Sequence, residues 1–274
     1  MNIRYLVNCS IILTELPVLE RAAAARAAGF DAVEFWWPFT QAVPSDHEVD
    51  AFARSITDAG VRLVGLNFFA GDMAGGDRGL VSWPGRQAEL RDSLEVAVGL
   101  GEQLGIRAFN ALYGNRVDGA DPRAQDELAV ENLTRAAEAA ARIGATVLLE
   151  PVSGAPRYPL RTASEVISVL DRVGAENLAL LADFYHLTVN GDDVPAVLAR
   201  DFDRIGHVQI ADAPGRGEPG TGELPLTDWL GDLAERGYDG WVGLEYKPVT
   251  ADPFAWLPRA DRGTAHRITP RSDA

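Results

Sequence analysis

Acidic side chains end or follow three apolar segments in the second half of the chain. The segment "ATVLLE" ends in Glu150, "LALLAD" ends in Asp183, and "GWVGLEY" carries Glu245 near its end. Between the last two, "IGHVQIAD" carries Gln209 and then Asp212. A buried carboxylate is costly unless it is paired or bound to a metal. Because oxygen donors suit a hard divalent cation such as Mg²⁺ or Mn²⁺, we predict one cation at Glu150, Asp183, Gln209 and Glu245.

Each of these residues alone has a more ordinary explanation. A carboxylate at the end of a strand is more often the N-cap of a helix or one half of a surface ion pair. Three carboxylates and an amide on four consecutive segments favour the metal site over that explanation.

Three further side chains lie close in sequence to these segments and could contact a substrate. His186 follows Asp183 by three residues. It is either a packed loop histidine or, beside a cation, a hydrogen-bonding partner of a substrate oxygen. Arg216 lies in the glycine-rich segment "APGRGEPGTGE", and Lys247 follows Glu245 by two residues. Either cation could hold a substrate carboxylate, and an arginine can do so with two parallel hydrogen bonds; a solvated surface position is the alternative for each.

The remaining histidines receive weaker interpretations. His207 precedes Gln209 by two residues and therefore shares its face of a strand. We interpret it as a hydrogen-bonded core residue or as support for the site, and not as a ligand. His47 lies at a predicted helix start and His266 in a polar tail, so neither is given a role.

Eight apolar segments alternate with helical patterns along the chain. Strands are predicted over 3–10, 31–37, 61–69, 107–113, 145–150, 178–183, 205–212 and 240–246. Helices are predicted over 17–28, 45–59, 86–104, 124–143, 162–173, 194–200 and 227–236. Such alternation indicates parallel strands covered by helices. A doubly wound sheet is the alternative, but no glycine-rich phosphate loop follows the first strand.

The pattern therefore predicts an α/β protein with the (β/α)8 fold of a TIM barrel. We expect a single barrel domain over residues 1–258 and a polar, frayed tail over residues 259–274, because no linker interrupts the pattern before the tail. Barrels of this type carry their chemistry at the carboxyl ends of the strands, which is where the acidic residues fall.

Charge and composition exclude several classes of function. The formal net charge of −15 argues against nucleic acid and anionic membranes as partners. The single cysteine, Cys9, cannot form a disulfide within the chain. The sequence shows no signal peptide and no apolar run of membrane-spanning length, so we expect a cytoplasmic enzyme. A homo-oligomer is compatible with the sequence but is not indicated by it.

Several segments resemble the hydroxypyruvate isomerase family, which belongs to the xylose-isomerase-like TIM barrels. They are "ERAAAARAAGFDAVEFWWP", "LLEPV", "ADFYHL", "GHVQIADAPGRGEPGTGE" and "GYDGWVGLEYKP". The resemblance covers residues 1–248 approximately. It implies a divalent metal at Glu150, Asp183, Gln209 and Glu245, with Glu150 and Glu245 as the proton-transfer pair.

The resemblance also implies a substrate class and an activity. His186 and Arg216 match positions that contact substrate in the related sugar epimerases. The expected reaction interconverts hydroxypyruvate and 2-hydroxy-3-oxopropanoate (tartronate semialdehyde) through an enediolate. The chain departs from the family in the loop 153–157, where Ser153 stands in place of the usual asparagine. Because this loop faces the substrate, isomerisation of 2-oxo-tetronates or 3-epimerisation of ketoses stays open as an alternative.

Two other functions fit the sequence less well. A metal-dependent nuclease of the endonuclease IV type needs several clustered histidines and a basic face, whereas this chain has four scattered histidines and a charge of −15. A barrel that only binds sugars would not need both Glu150 and Glu245. We therefore expect an isomerase that takes a small 2-oxo acid or a ketose.

Overall fold

The computed structural model describes residues 2–263 and 266–267. In this part of the chain, eight parallel strands form a closed barrel, because each strand pairs with the next and β8 pairs with β1. The strands are β1 Asn2–Asn8, β2 Ala32–Phe35, β3 Arg62–Asn67, β4 Ala108–Asn110, β5 Thr146–Leu149, β6 Leu178–Asp183, β7 Ile205–Ile210 and β8 Trp241–Leu244. The predicted TIM barrel is thereby confirmed.

Helices follow the strands and cover the outside of the barrel. They are α1 Val18–Ala27, α2 Asp46–Ala59, α3 Gln87–Leu104, α4 Pro122–Ala141, α5 Ala163–Val173, α6 Phe184–Asn190, α7 Val194–Asp201 and α8 Leu226–Glu235. Capping boxes start two of them: the Ser45 side chain accepts a hydrogen bond from the Glu48 backbone at α2, and Thr162 does the same for Glu165 at α5. These caps satisfy backbone donors that the first turn leaves free.

The predicted strands extend further than the observed ladders. The segment predicted over 107–113, for example, pairs only over β4, and its apolar residues then continue into the rim, where Leu112 and Tyr113 are still buried. The apolar pattern reports which residues are buried. Because burial continues beyond the last hydrogen bond between the strands, the predicted strands are longer than the observed ones.

Helix α6 has no counterpart among the predicted helices. It begins immediately after β6, with Asp183 serving both as the last strand residue and as the N-cap. Asp183 is a residue type favoured at the N-cap, but no polar turn separates the two elements, so the helix start is hidden within a continuous strand-like segment.

Residues 259–263, which the sequence places in the tail, pack against the barrel. The Arg259 side chain donates to the Ala27 carbonyl at 2.8 Å, and Arg262 donates to Ala28 and Phe254. A short strand, β9 His266–Arg267, pairs antiparallel with β1. Residues 264–265 and 268–274, the rest of the predicted tail, lie outside the described residues.

Candidate active site

The four predicted oxygen-bearing residues meet at the carboxyl ends of β5 to β8. Glu150 follows β5, Asp183 ends β6, Gln209 lies near the end of β7 and Glu245 follows β8. Asp183 and Gln209 are register partners on adjacent strands. All four side chains are buried, with at most 5% of any residue exposed. The strand ends therefore bring three carboxylates and one amide to the same buried rim.

Asp183 uses its two oxygens for different purposes. Oδ1 accepts from the backbone N–H of Tyr185 at 2.8 Å and of His186 at 3.4 Å, which caps α6. Oδ2 lies 3.4 Å from Arg216 Nη2 and 3.6 Å from His186 Nε2. Asp183 therefore caps helix α6 with Oδ1 and faces the site with Oδ2.

The Nε2 atom of His186 faces the carboxylates of Glu150 and Asp183. Ligand atoms of Glu150, Asp183 and His186 lie within 4.8 Å of one another. On the other side of the ring, Nδ1 lies 3.0 Å from the backbone N of Ser153 and 2.6 Å from its Oγ. Because a backbone N–H only donates, Nδ1 accepts, and the proton of the neutral ring is on Nε2. His186 therefore presents an N–H donor to the site, and the carboxylates are the better candidates to hold a metal.

Arg216 joins Asp183 to Glu245. Its Nη2 donates to Glu245 Oε1 at 2.9 Å and to Asp183 Oδ2 at 3.4 Å, and its Nε donates to the Glu245 carbonyl at 3.2 Å. The guanidinium also lies over the Tyr185 ring. These contacts use both Nη2 hydrogens, whereas Nη1 has no hydrogen bond to the part of the chain that the structure describes and is left to meet a substrate. A contact through both Nη atoms is therefore not available in this arrangement.

Arg216 adopts a backbone conformation that is uncommon for a residue with a side chain. Its φ is 61°, in the left-handed region that favours glycine. Lys247 supports this turn through its backbone, which donates to the Arg216 carbonyl at 2.7 Å, while the residue itself is exposed. Contact of the Lys247 side chain with substrate stays a prediction.

Two residues that the sequence analysis did not single out contact the glutamates. The Trp36 indole N–H, just after β2, donates to Glu245 Oε1 at 3.3 Å. Asn110, the last residue of β4, donates from Nδ2 to Glu150 Oε2 at 2.9 Å. Asn110 is the last residue of β4, so a polar residue at a strand end, the pattern that identifies the predicted site residues, also identifies Asn110.

Burial and mutual repulsion shift the ionisation of the site. Burial, with the charge of Asp183 second, raises the pKa of Glu150 to about 8, although the Asn110 hydrogen bond acts against this. Burial also raises the pKa of Glu245 well above its usual range, and Arg216 opposes that shift. Burial lowers the pKa of His186 to about 4, which agrees with the neutral ring inferred from its hydrogen bonds. The rim therefore holds more buried acid than Arg216 can balance, and a cation would relieve the imbalance.

The amide of Gln209 supplies a test of the cation site. Its Nε2 donates to Glu34 Oε1 at 2.6 Å. Its Oε1 is buried and has no hydrogen-bond partner among the described residues. An unpartnered buried acceptor on the register partner of Asp183 is what an oxygen ligand without its cation would show, because such atoms normally find a donor. The donor set therefore fits a divalent cation.

The other three histidines are not among the predicted ligands. His207 Nε2 lies 2.7 Å from Glu34 Oε2, which confirms its interpretation as a buried, hydrogen-bonded residue. His47 is exposed at the start of α2. His266 contributes backbone to β9.

In the described part of the chain, none of the helices is both long and apolar enough to cross a membrane.

Comparison with known proteins identifies the family. A profile described as "Xylose isomerase-like TIM barrel" matches residues 22–263. A Streptomyces coelicolor protein, provisionally named a hydroxypyruvate isomerase, is 54% identical over 270 residues, or 94% of this chain and 97% of its own. Hydroxypyruvate isomerase of Escherichia coli K12 is 34% identical over 90% of this chain and 95% of its own.

A third relative carries the name of the alternative activity. The 2-oxo-tetronate isomerase of Cupriavidus necator is 37% identical over 93% of this chain and 97% of its own. All three names are those of isomerases, and the relatives therefore indicate an isomerase. The chain belongs to the xylose isomerase-like TIM barrel family.

Proposed function

We propose that the protein is a metal-dependent isomerase of the aldose–ketose type that interconverts hydroxypyruvate and 2-hydroxy-3-oxopropanoate. One observation carries the proposal: two buried glutamates, Glu150 and Glu245, stand at the ends of β5 and β8, with Asp183 between them. His186 lies beside Glu150 and Asp183, and Arg216 links Asp183 to Glu245. This arrangement supports the proposal, because a reaction that moves hydrogen between adjacent carbons needs proton-accepting groups on two sides of the substrate.

A divalent cation completes the proposed site. Glu150, Asp183, Glu245 and Oε1 of Gln209 would hold it, and Mg²⁺ and Mn²⁺ suit these oxygen donors. When bound, it supplies a Lewis acid that stabilises negative charge developing on the substrate oxygens.

The residues of the chain carry the proton transfers. One glutamate removes a proton from C3 of hydroxypyruvate, the carbon that bears the hydroxyl group, and the other delivers a proton to C2. O3 loses its hydroxyl proton and becomes the carbonyl oxygen, while O2 gains a proton and becomes the hydroxyl, so that substrate and product have the same composition. The Nε2–H of His186 can donate to a substrate oxygen, and a carboxyl whose pKa lies near the working pH, as burial gives Glu150, is suited to this work.

We expect a crystal soaked in Mn²⁺ to show one anomalous peak within about 2.5 Å of oxygens from Glu150, Asp183, Gln209 and Glu245. The unpartnered Oε1 of Gln209 makes the amide the most informative of the four ligands. A peak that contacts the carboxylates but stands away from Gln209 would remove that residue from the ligand set, and no peak at all would contradict the metal site.

The length of the substrate has two candidates, because a relative is named for 2-oxo-tetronates. The loop that departs from the hydroxypyruvate isomerase pattern begins at Ser153, and Ser153 holds His186 directly. A change there alters the position of a residue proposed to touch the substrate. The four-carbon acid is therefore the second candidate.

A panel of substrates distinguishes these candidates. Hydroxypyruvate, a 2-oxo-tetronate and a neutral ketose are each supplied with metal-loaded protein, and movement of the ¹³C carbonyl signal is followed by NMR. We expect the highest kcat/KM for hydroxypyruvate, loss of turnover in EDTA and its return when Mn²⁺ is added back. Faster turnover of the tetronate would transfer the proposal to that substrate, and turnover that survives EDTA would contradict a metal-dependent reaction.

The acidic surface bears on the partners of the protein. The charge of −15 supports the absence of nucleic acid as a partner. A cytoplasmic location and assembly into a homo-oligomer stay predictions. A barrel that binds sugars without turnover would fail the NMR experiment.

A further inference from the structure

Next to the proposed cation site, a buried acidic side chain holds the amide of Gln209. Glu34 lies in β2 and is 4% exposed. Its Oε1 accepts from Gln209 Nε2 at 2.6 Å and from Asn8 Nδ2 at 3.0 Å. Its Oε2 lies 2.7 Å from His207 Nε2. Three nitrogen donors from two strands, β1 and β7, thus surround one carboxylate.

This arrangement determines which end of the Gln209 amide faces Glu34. An amide group has a donor end and an acceptor end of almost the same shape, and a carboxylate can only accept. The NH₂ group must therefore point at Glu34, which leaves Oε1 on the opposite side. That Oε1 is the buried atom without a partner among the described residues, so the contact with Glu34 leaves it available as a ligand.

The neighbouring strands leave space for this contact. The register partner of Glu34 on β3 is Gly65, and that of Gln209 on β8 is Gly243. A Cβ atom at Gly243 would lie 2.7 Å from Glu34 Oε1 and 2.9 Å from Gln209 Cγ. Glycine within a strand often marks such a close approach. The glycine at 243 thus leaves room for Glu34 and Gln209 to meet.

We propose that Glu34 is a positioning residue of the cation site: it fixes the Gln209 amide so that Oε1, and not the NH₂ group, is presented to the metal. This inference rests on the proposed function, since it assumes that Gln209 is a ligand. Side chains that orient metal ligands are typically worth about 10–100-fold in metal affinity.

Calorimetric titration of the metal-free full chain with MnCl₂ tests the proposal without measuring turnover. We expect Glu34→Gln to weaken Mn²⁺ binding roughly 10–100-fold, because glutamine can offer an N–H to the amide and no longer specifies its orientation. The same change in a Gln209→Met background is expected to have an effect of less than about 3-fold, since the ligand that Glu34 orients is absent. Circular dichroism and the melting temperature report whether each variant folds.

A second variant perturbs the pair without changing any charge. Gly243→Ala places a methyl group against Glu34 Oε1 and Gln209 Cγ and is expected to weaken Mn²⁺ binding in the same direction. Gly231→Ala in α8 is the matched control, because an added Cβ there meets nothing within 4 Å. If Glu34→Gln fails to fold, Gly243→Ala decides the question alone.

The outcomes distinguish failure of the proposed metal site from failure of the proposed role of Glu34. No Mn²⁺ binding by the unchanged chain would overturn the proposed function and this inference together. Mn²⁺ binding by the unchanged chain, with an equal loss from Glu34→Gln in both backgrounds, would mean that Glu34 acts only through its charge and would overturn this inference alone. Affinity in Gly243→Ala equal to that of Gly231→Ala would overturn it as well.

Discussion

Replacing Glu245 by glutamine is expected to lower kcat for hydroxypyruvate by roughly 10²–10⁴-fold, the usual contribution of one proton-transfer group. The change keeps the shape of the side chain and removes its capacity to take a proton. The amide oxygen can still accept from Arg216 Nη2 and from the Trp36 indole, which donate to Glu245 Oε1 at 2.9 Å and 3.3 Å. The barrel and the loop that carries Arg216 should therefore stay in place, and the loss should fall on the chemistry.

Two measurements separate catalysis from the other roles of Glu245. An amide oxygen can still ligate a cation, so Mn²⁺ affinity should change much less than kcat. Glu235→Gln, the same substitution at an exposed position on α8, should leave turnover close to that of the unchanged enzyme. If Glu245→Gln keeps at least half of the original activity, Glu245 is neither the acid nor the base.

The site residues on the later strands could be predicted because a barrel imposes a simple rule on them. An apolar run that ends in a charged or amide side chain delivers that side chain to one rim. Glu150 and Asp183 follow the rule directly, and Asp183 is buried completely. The rule needs only the local sequence, since closure of the barrel brings the four strand ends together.

The contacts between these residues could not be predicted in the same way. Trp36 and Glu245 are separated by 209 positions, and nothing local shows that the indole meets that carboxylate. The left-handed turn that directs Arg216 inward has no glycine at that position to indicate it. Glu34 did leave a signal, because it interrupts an apolar strand that is buried throughout, but two of its partners, His207 and Gln209, lie 173 and 175 positions away.

Replacing Arg216 by methionine is expected to reduce kcat/KM for hydroxypyruvate roughly 10–150-fold, mainly through a higher KM. This range corresponds to the loss of one charge-assisted hydrogen bond, worth about 1.5–3 kcal/mol. Arg216 is half-buried among Asp183, Glu245 and Tyr185, and its Nη1, which has no hydrogen bond to the described residues, is left to meet a substrate. An acidic protein that binds an anion must provide positive charge locally. Among the described residues, Arg216 is the cationic side chain seen in contact with Glu245, one of the two proposed bases.

The comparison that decides the role of Arg216 is between an acid and a neutral sugar on the same variant. Loss of the contacts to Asp183 and Glu245 would affect both substrates, whereas loss of a carboxylate contact affects only the acid. We therefore expect the fall in kcat/KM for hydroxypyruvate to exceed that for a neutral ketose by about 10-fold or more.

Lys247→Met removes the other candidate cation, whose side chain is exposed. A loss specific to the acid in Lys247→Met, and not in Arg216→Met, would assign the carboxylate contact to Lys247. An equal fall for both substrates in Arg216→Met would mean that Arg216 contacts a hydroxyl group or only holds the two carboxylates, and a ketose epimerase would then account for the site better than an isomerase of 2-oxo acids.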